Sequence, residues 1–244
     1  MKSLYINCNN GISGNSLVGA FISLGLDAEL LRREIAKLLE PDTFRLITHR
    51  RTVYGKSLVY FNTETLFKGE NTDRISAPEA MELVHRSKMD REIKNSTEMI
   101  LNKLFQSKAK AHEIAIKDVR FIYEGMGDTL IDAIGVSLGM KVFEIEKVVI
   151  NKVNTGQGVI SIGNHKMQIP APMTKILLAN HSTYHDERTG ELTTPTGASI
   201  VANFAEENVE ELAEKYLYMG YGLSTEKGNN EQALQIGINH RIEK

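Results

Sequence analysis

Asp128 and Asp132 stand four residues apart in "GDTLIDAIG", a spacing that puts both carboxylates on one face of a helix, with Gly135 and Gly139 continuing the stripe. Two carboxylates one turn apart repel unless a cation or hydrogen-bond donors stand between them, which suits a hard divalent ion. The alternative is a helix capped at its N-terminus by Asp128, with Asp132 facing water. A second chemistry is offered by "CNNGISGN", residues 8–15. Gly11 and Gly14, with Ser13 between them, allow a tight strand-to-helix turn, and N–H groups free at a helix start favour an anion such as phosphate. A glycine pair at such a junction is more often only a turn. Cys8 alternates with Leu4 and Ile6 and reads as a small core residue rather than a nucleophile. His181 and His185 with Asp186 and Glu187 supply imidazoles and carboxylates for a transition metal, or else a solvated loop. In "TTPTGAS" and "IPAPMTKILL" prolines precede apolar helical stretches, with Thr196 as the cap of one and Thr174 early in the other. Threonine hydroxyls in the first could close over a ligand phosphate or amide.

These residues need elements to hold them. Ser3 to Cys8 alternates as a strand, and Leu17, Ala20, Phe21 and Leu24 recur at helical spacing up to Gly25. Asp27 caps a second helix that Pro41 ends. "FRLITHRRTVYGKSLVYFNTE" reads as two or more strands joined near Arg50 to Gly55, and Phe67 to Ile75 as an exposed polar loop. Ser76 and Glu79 form a capping box for a helix to about His85, and a longer helix runs from about Met89 to His112. "VRFIY" is a short strand before the helix of the aspartate pair. "KVVINKVNTG" and "GVISIGNHKMQI" read as a hairpin joined around Gly156 to Gly158, and helices at Met173–Ala179 and Gly197–Phe204 precede strands at Ala213–Met219 and Ala233–Ile238. The expected class is α+β: a mixed α/β chain with an N-terminal βα unit and further strands and hairpins packed on helices. Segments 1–66 and 76–244 are either two units or one continuous domain.

With 244 residues, 41% hydrophobic, and a net charge of −2, the chain can bury a sizeable core and lacks the basic excess of a nucleic-acid binder. One cysteine excludes an internal disulfide. No apolar run is long enough for a membrane span and no signal peptide opens the chain, so a cytoplasmic protein with neither nucleic-acid nor membrane partners is expected. Zinc-protease, Walker, C-x-x-C and G-x-S-x-G signatures do not occur.

Taken in order, "YINCNNGISGN", "LVGAFISLGLD", "KAHEI", "GDTLIDAIG", "IPAP", "GELTTPTGAS" and "GYGLSTEKG" resemble one family, the LarC nickel-insertion proteins, which mature the nickel-pincer cofactor of lactate racemase. The resemblance spans nearly the whole chain. It implies a nickel chelatase, a lyase-type cyclometallase, that seats nickel between two sulfurs and a ring carbon of pyridinium-3,5-bisthiocarboxylic acid mononucleotide in a CTP-dependent reaction. At the matched positions, Gly11, Ser13, Gly14, Pro170, Pro172, Thr194, Thr196 and Gly197 would shape the ligand site, and His112, Asp128 and Asp132 would hold metal. The resemblance assigns CTP, with magnesium or manganese, to a further C-terminal domain; since the sequence stops soon after "GYG", a separate subunit carrying that domain is expected, and a homo-oligomer besides.

Departures from the family pattern are concentrated in its ligating residues. Asn7 and Asn15 stand where aspartates are usual, and Arg120, Ile122 and Tyr123 where two histidines and a glutamate are, leaving Glu124 only in a shifted register. A histidine-rich middle segment is replaced by "GENTDRISAPEA", and a His-Gly pair before "PAP" becomes Asn164 and His165. These losses keep open a second reading, a non-catalytic relative that binds a mononucleotide or a partner protein without inserting nickel.

Overall fold

The computed structural model describes residues 2–65, 74–162, 165–209, 216, 218–226, 228 and 232–239. The first half runs β1 (Ser3–Asn7), α1 (Gly14–Leu24), α2 (Ala28–Ile35), β2 (Phe44–Val53), β3 (Lys56–Thr65), β4 (Arg74–Ser76), α3 (Ala77–Arg86) and α4 (Arg91–His112). It continues with β5 (Arg120–Ile122), α5 (Tyr123–Val142), β6 (Lys147–Ile150), β7 (Val153–Asn154), β8 (Gly156–Ile162), β9 (His165–Ile169) and α6 (Pro172–Leu177). The last elements are β10 (Thr183–Tyr184), β11 (Gly190–Glu191), α7 (Pro195–Phe204), β12 (Ala205–Asn208), β13 (Tyr218–Leu223) and β14 (Leu234–Ile238).

The main sheet has seven strands in the order β12-β6-β1-β14-β13-β3-β2, so strands from both halves of the chain share it. β1, β3, β6, β12 and β13 run one way, and β2 and β14 the other. The carboxyl ends of β1, β3 and β6 therefore open on one edge, where ligands of such sheets commonly sit. α1 lies on β3, β13 and β14; α5 packs against α1, and α4 against α5, α6 and α7. The joins are close because small residues face large ones: Val18 fits against Gly135, and Phe21 against Gly139 and, stacked at 5.7 Å, Phe143. Among the described residues no helix is long and apolar enough to cross a membrane.

Most local expectations match the structure, which is α+β as the sequence indicates. Ser76 and Glu79 make the capping box of α3, with Ser76 Oγ accepting from the Glu79 N–H at 3.2 Å. β2 and β3 form a hairpin turning at Tyr54 and Gly55, both at positive φ (49° and 74°), the geometry of a type I′ turn.

Four expectations are corrected. β6 does not pair with β8; its buried Val148, Val149 and Ile150 lie between β1 and β12 in the sheet, where a continuous apolar run belongs. The hairpin is β8–β9, and Gly156 and Gly158 are not its turn. Instead Gly156, at φ 72°, lies so close to the Gly190 carbonyl that a side chain there has no room. α5 starts at Tyr123, so Asp128 is inside the helix rather than its cap. Thr194, not Thr196, caps α7, its hydroxyl accepting from the Gly197 N–H at 3.2 Å. The expected loop 67–75 lies outside the described residues except for Arg74 and Ile75, which belong to β4, and the expected strand from Ala213 is described only at Tyr216 and from Tyr218 onward.

Candidate functional site

β1 delivers Asn7 to the carboxyl edge of the sheet, and residues 8–10 make one 3₁₀ turn before Gly11. Gly11 (φ 72°) presses on Leu192, where a Cβ would stand 2.7 Å from the Leu192 Cβ and closer still to its carbonyl. Only glycine permits that conformation and that approach. Ser13 then caps α1, its hydroxyl accepting from the Ser16 N–H at 3.3 Å while the Ser16 hydroxyl accepts from the Ser13 N–H at 3.2 Å. The start of α7 docks here, with the Thr194 N–H donating to the Ile12 carbonyl at 3.1 Å and Gly197 flush against the same peptide. Gly11, Ser13, Gly14, Thr194 and Gly197 thus meet in one place. Thr196 follows on the first turn of α7, while Pro170 and Pro172 flank the entry to α6.

Side-chain amides lace the 3₁₀ turn to segments far along the chain. Asn151, after β6, accepts from the Cys8 N–H at 2.6 Å and donates to the Asn9 and Asn7 side-chain oxygens at 2.6 and 3.2 Å. Asn154 donates to the Asn9 carbonyl at 3.1 Å and to Asp186 at 2.7 Å. Arg188 closes the network, donating to the Asn9 carbonyl and the Asn10 side-chain oxygen, both at 2.6 Å, and pairing with Asp186. That guanidinium holds the Asp186 carboxyl far below the usual range. Sequence reasoning misses Asn151, Asn154 and Arg188; the one local signal is an asparagine directly after the apolar run "KVVI". Cys8 is fully buried, and burial pushes its thiol up to about 12, which leaves it inert near neutral pH.

The aspartate pair stands at the start of α1. Asp132 faces the Asn15 N–H, which slightly favours its charged form, and lies against Gly14, where a Cβ would come 2.5 Å from its Oδ2. Burial, and then the charge of Asp128, push its carboxyl well above the usual range. Asp128 is raised by burial too, partly offset by the Thr63 hydroxyl, which donates to it at 2.8 Å from near the end of β3. Two adjoining basic carboxylates suit holding a proton, a cation or both.

The other metal candidates are dispersed. His112 is exposed at the end of α4, His185 and Glu187 are exposed, and Asp186 is engaged by Arg188 and Asn154. His181 lies against α4 and α6, in a separate cavity. Among the described residues, no three His, Cys, Asp or Glu side chains gather as a metal site would require.

A family described as "Nickel insertion protein" matches residues 4–243. The chain is 31% identical over 207 residues to a pyridinium-3,5-bisthiocarboxylic acid mononucleotide nickel insertion protein of Desulfitobacterium hafniense, covering 85% of this chain and 50% of that one. Proteins of the same name from Staphylococcus epidermidis (28% identical; 96% of this chain, 58% of that one) and Akkermansia muciniphila (27%; 93% and 57%) are also similar. The chain therefore spans between half and three-fifths of the length of these relatives. No solved structure matches it.

Proposed function

Because the chain belongs to the nickel insertion protein family, we propose that it handles nickel and a pyridinium-3,5-bisthiocarboxylic acid mononucleotide during maturation of a nickel-pincer cofactor. The supporting observation is the desolvated Asp128–Asp132 pair set against Gly14, beside the loop that α7 closes. Seating nickel on a ring carbon exchanges a C–H bond for a nickel–carbon bond and releases one proton, with nickel and mononucleotide as the substrates. Burial strengthens Asp132 as the base that accepts it, and Asp128, which accepts from Thr63 through one oxygen, has its other oxygen to offer the incoming cation. Gly11, Gly14 and Gly197, packed on Leu192, Asp132 and the Ile12 peptide, and the capping Ser13 set the shape of this turn, and the half-buried Thr194 and Thr196 are left to meet the mononucleotide, with Pro170 and Pro172 proposed as further contacts.

In this reading these residues act as one continuous cytoplasmic domain, and the CTP-dependent step, with magnesium or manganese, belongs to the part of the family's length that they do not cover, on the same chain or on a partner. Calorimetric titration of metal-free protein with nickel(II), against magnesium and zinc, tests the metal role. One saturable nickel site is expected, weakened at least about tenfold by Asp128→Asn or Asp132→Asn. A His112→Ala arm decides whether that residue joins them. Nickel binding unaltered in both aspartate variants, with each still folded, would refute the assignment.

One observation favours the second reading, binding without insertion. The oxygens of the 3₁₀ turn already face a cation, because the Asn9 carbonyl and Asn10 amide both accept from Arg188. A protein of that kind would take up no nickel in that titration and would bind the mononucleotide in a parallel one.

A further inference from the structure

His181 borders a cavity of about 220 Å³ between α4 and the end of α6, together with Lys103, Gln106, Lys110 and Asn180. Lys103, Gln106 and Lys110 recur at i, i+3 and i+7, which aligns them on one face of α4. Their Cα atoms span two helical turns, about 10 Å, a distance two lysine side chains can close from either end. Among the described residues no carboxylate lines the cavity. Among the described residues neither lysine has an ion-pair or hydrogen-bond partner, although acidic and basic side chains are almost equally numerous in the chain, 31 against 29. Leu177 forms an apolar wall, which weakens the competition from water for whatever the donors hold.

The chemistry is that of an anion. Two ammonium groups, two carboxamides and an imidazole surround a space below the range of about 300–1,000 Å³ usual for drug-sized ligands. Burial holds the imidazole below its ordinary pKa, so near neutral pH His181 offers one N–H without charge. Two fixed charges with neutral donors around them match a group carrying about −1.5 to −2 and several acceptor oxygens better than they match a monocarboxylate. We propose that this cavity binds a phosphate group between Lys103 and Lys110, either free phosphate or the phosphoryl end of a small phosphomonoester. It shares no residue with the aspartate pair or the 3₁₀ turn, so the proposal stands apart from the nickel reading.

The test is calorimetry at low ionic strength with inorganic phosphate, ribose 5-phosphate and ribose as titrants, and with acetate as the monocarboxylate comparison. Saturable phosphate binding is expected, weakened about tenfold by Lys103→Ala or Lys110→Ala and unchanged by Lys117→Ala, an exposed lysine elsewhere. Ribose 5-phosphate binding more tightly than phosphate would identify the phosphomonoester as ligand, and equal affinities would identify the free ion. All three lysines are exposed, so the variants should fold, which circular dichroism checks. A shift of the His181 ring protons on adding phosphate gives an independent readout. Binding that does not saturate, that acetate equals, or that both cavity variants retain would overturn the proposal.

Discussion

Gly197→Ala is the sharpest probe of how the site is held together. Gly197 is in the first turn of α7, and a Cβ there would stand 2.6 Å from the Ile12 carbonyl carbon, 3.0 Å from the Ser13 nitrogen and closer still to the Ile12 oxygen. All three are backbone atoms of the tight turn between Gly11 and Gly14, so no side chain can swing away to make room. The helix start must retreat by about 1 Å, enough to break the bond from the Thr194 N–H to that carbonyl. Overpacking costs about 1–3 kcal/mol and the lost hydrogen bond about 1 kcal/mol, against a gain of up to about 1 kcal/mol from replacing a helical glycine. The net loss is about 1–4 kcal/mol, which lowers a urea midpoint by on the order of 1 M. Gly125→Ala is the control: it lies in α5 with no described residue within 4 Å of the place its methyl would take, so it should gain about 0.5–1 kcal/mol. Urea titrations followed by circular dichroism compare the two. If Gly197→Ala melts with the parent while Gly125→Ala is stabilised, the docking of α7 on the turn is not as tight as described.

Two further outcomes follow from the electrostatics. Asp132 has its folded-state pKa raised, so the folded form binds the extra proton: its contribution is fully present below the unfolded value near 4 and is lost as pH rises through the folded one. Asp132→Asn, which keeps an oxygen for the Asn15 N–H, should therefore raise Tm near neutral pH and flatten its fall above pH 4; an unchanged profile would show that Asp132 is hydrated. Arg188→Met should loosen the 3₁₀ turn without unfolding the sheet, because it removes the donors to Asn9 and Asn10 and the partner of Asp186. Amide exchange at residues 8–11 is expected to quicken by roughly tenfold, the effect of about 1.4 kcal/mol, and unaltered protection there would contradict the network.

Features coded within a few residues were legible. The glycine-serine turn after β1, the Ser76–Glu79 box, the β2–β3 hairpin and the apolar stripe of α4 all depend on neighbours in sequence. What failed depends on partners far away. β6 reads as a strand from its valines and isoleucine, but its choice of β1 over β8 is settled by which slot of the sheet can bury both its faces. The start of α5 was hidden because Gly125 and Gly127 weaken the helical signal, and packing against α1 and α4 overrides that weakness. At the site, Gly14 and Asp132 could each be named from sequence. Their contact could not, since 118 positions of chain separate two residues whose fit rests on one missing methyl. The Asn151 and Arg188 bonds bridge still longer separations, of 142 to 179 residues.

Asn7 and Asn15 are not equivalent in this network. Asn7 contributes its side-chain oxygen, accepting from the Asn9 N–H at 3.1 Å and from Asn151, and a carboxylate would serve both donors as well or better. Nothing in those two bonds requires an amide. Asn15 uses both ends: its oxygen accepts from the Ser13 hydroxyl and the Ser16 N–H, and its nitrogen donates to the Phe61 carbonyl at 3.3 Å. A carboxylate there would face that carbonyl with no proton to offer, beside Asp132, whose charged form is already disfavoured. The amide at position 15 is thus tied to the desolvated aspartate pair, whereas the bonds at position 7 would accommodate a charge. A carboxylate is therefore tolerated by its surroundings at position 7 and disfavoured by them at position 15.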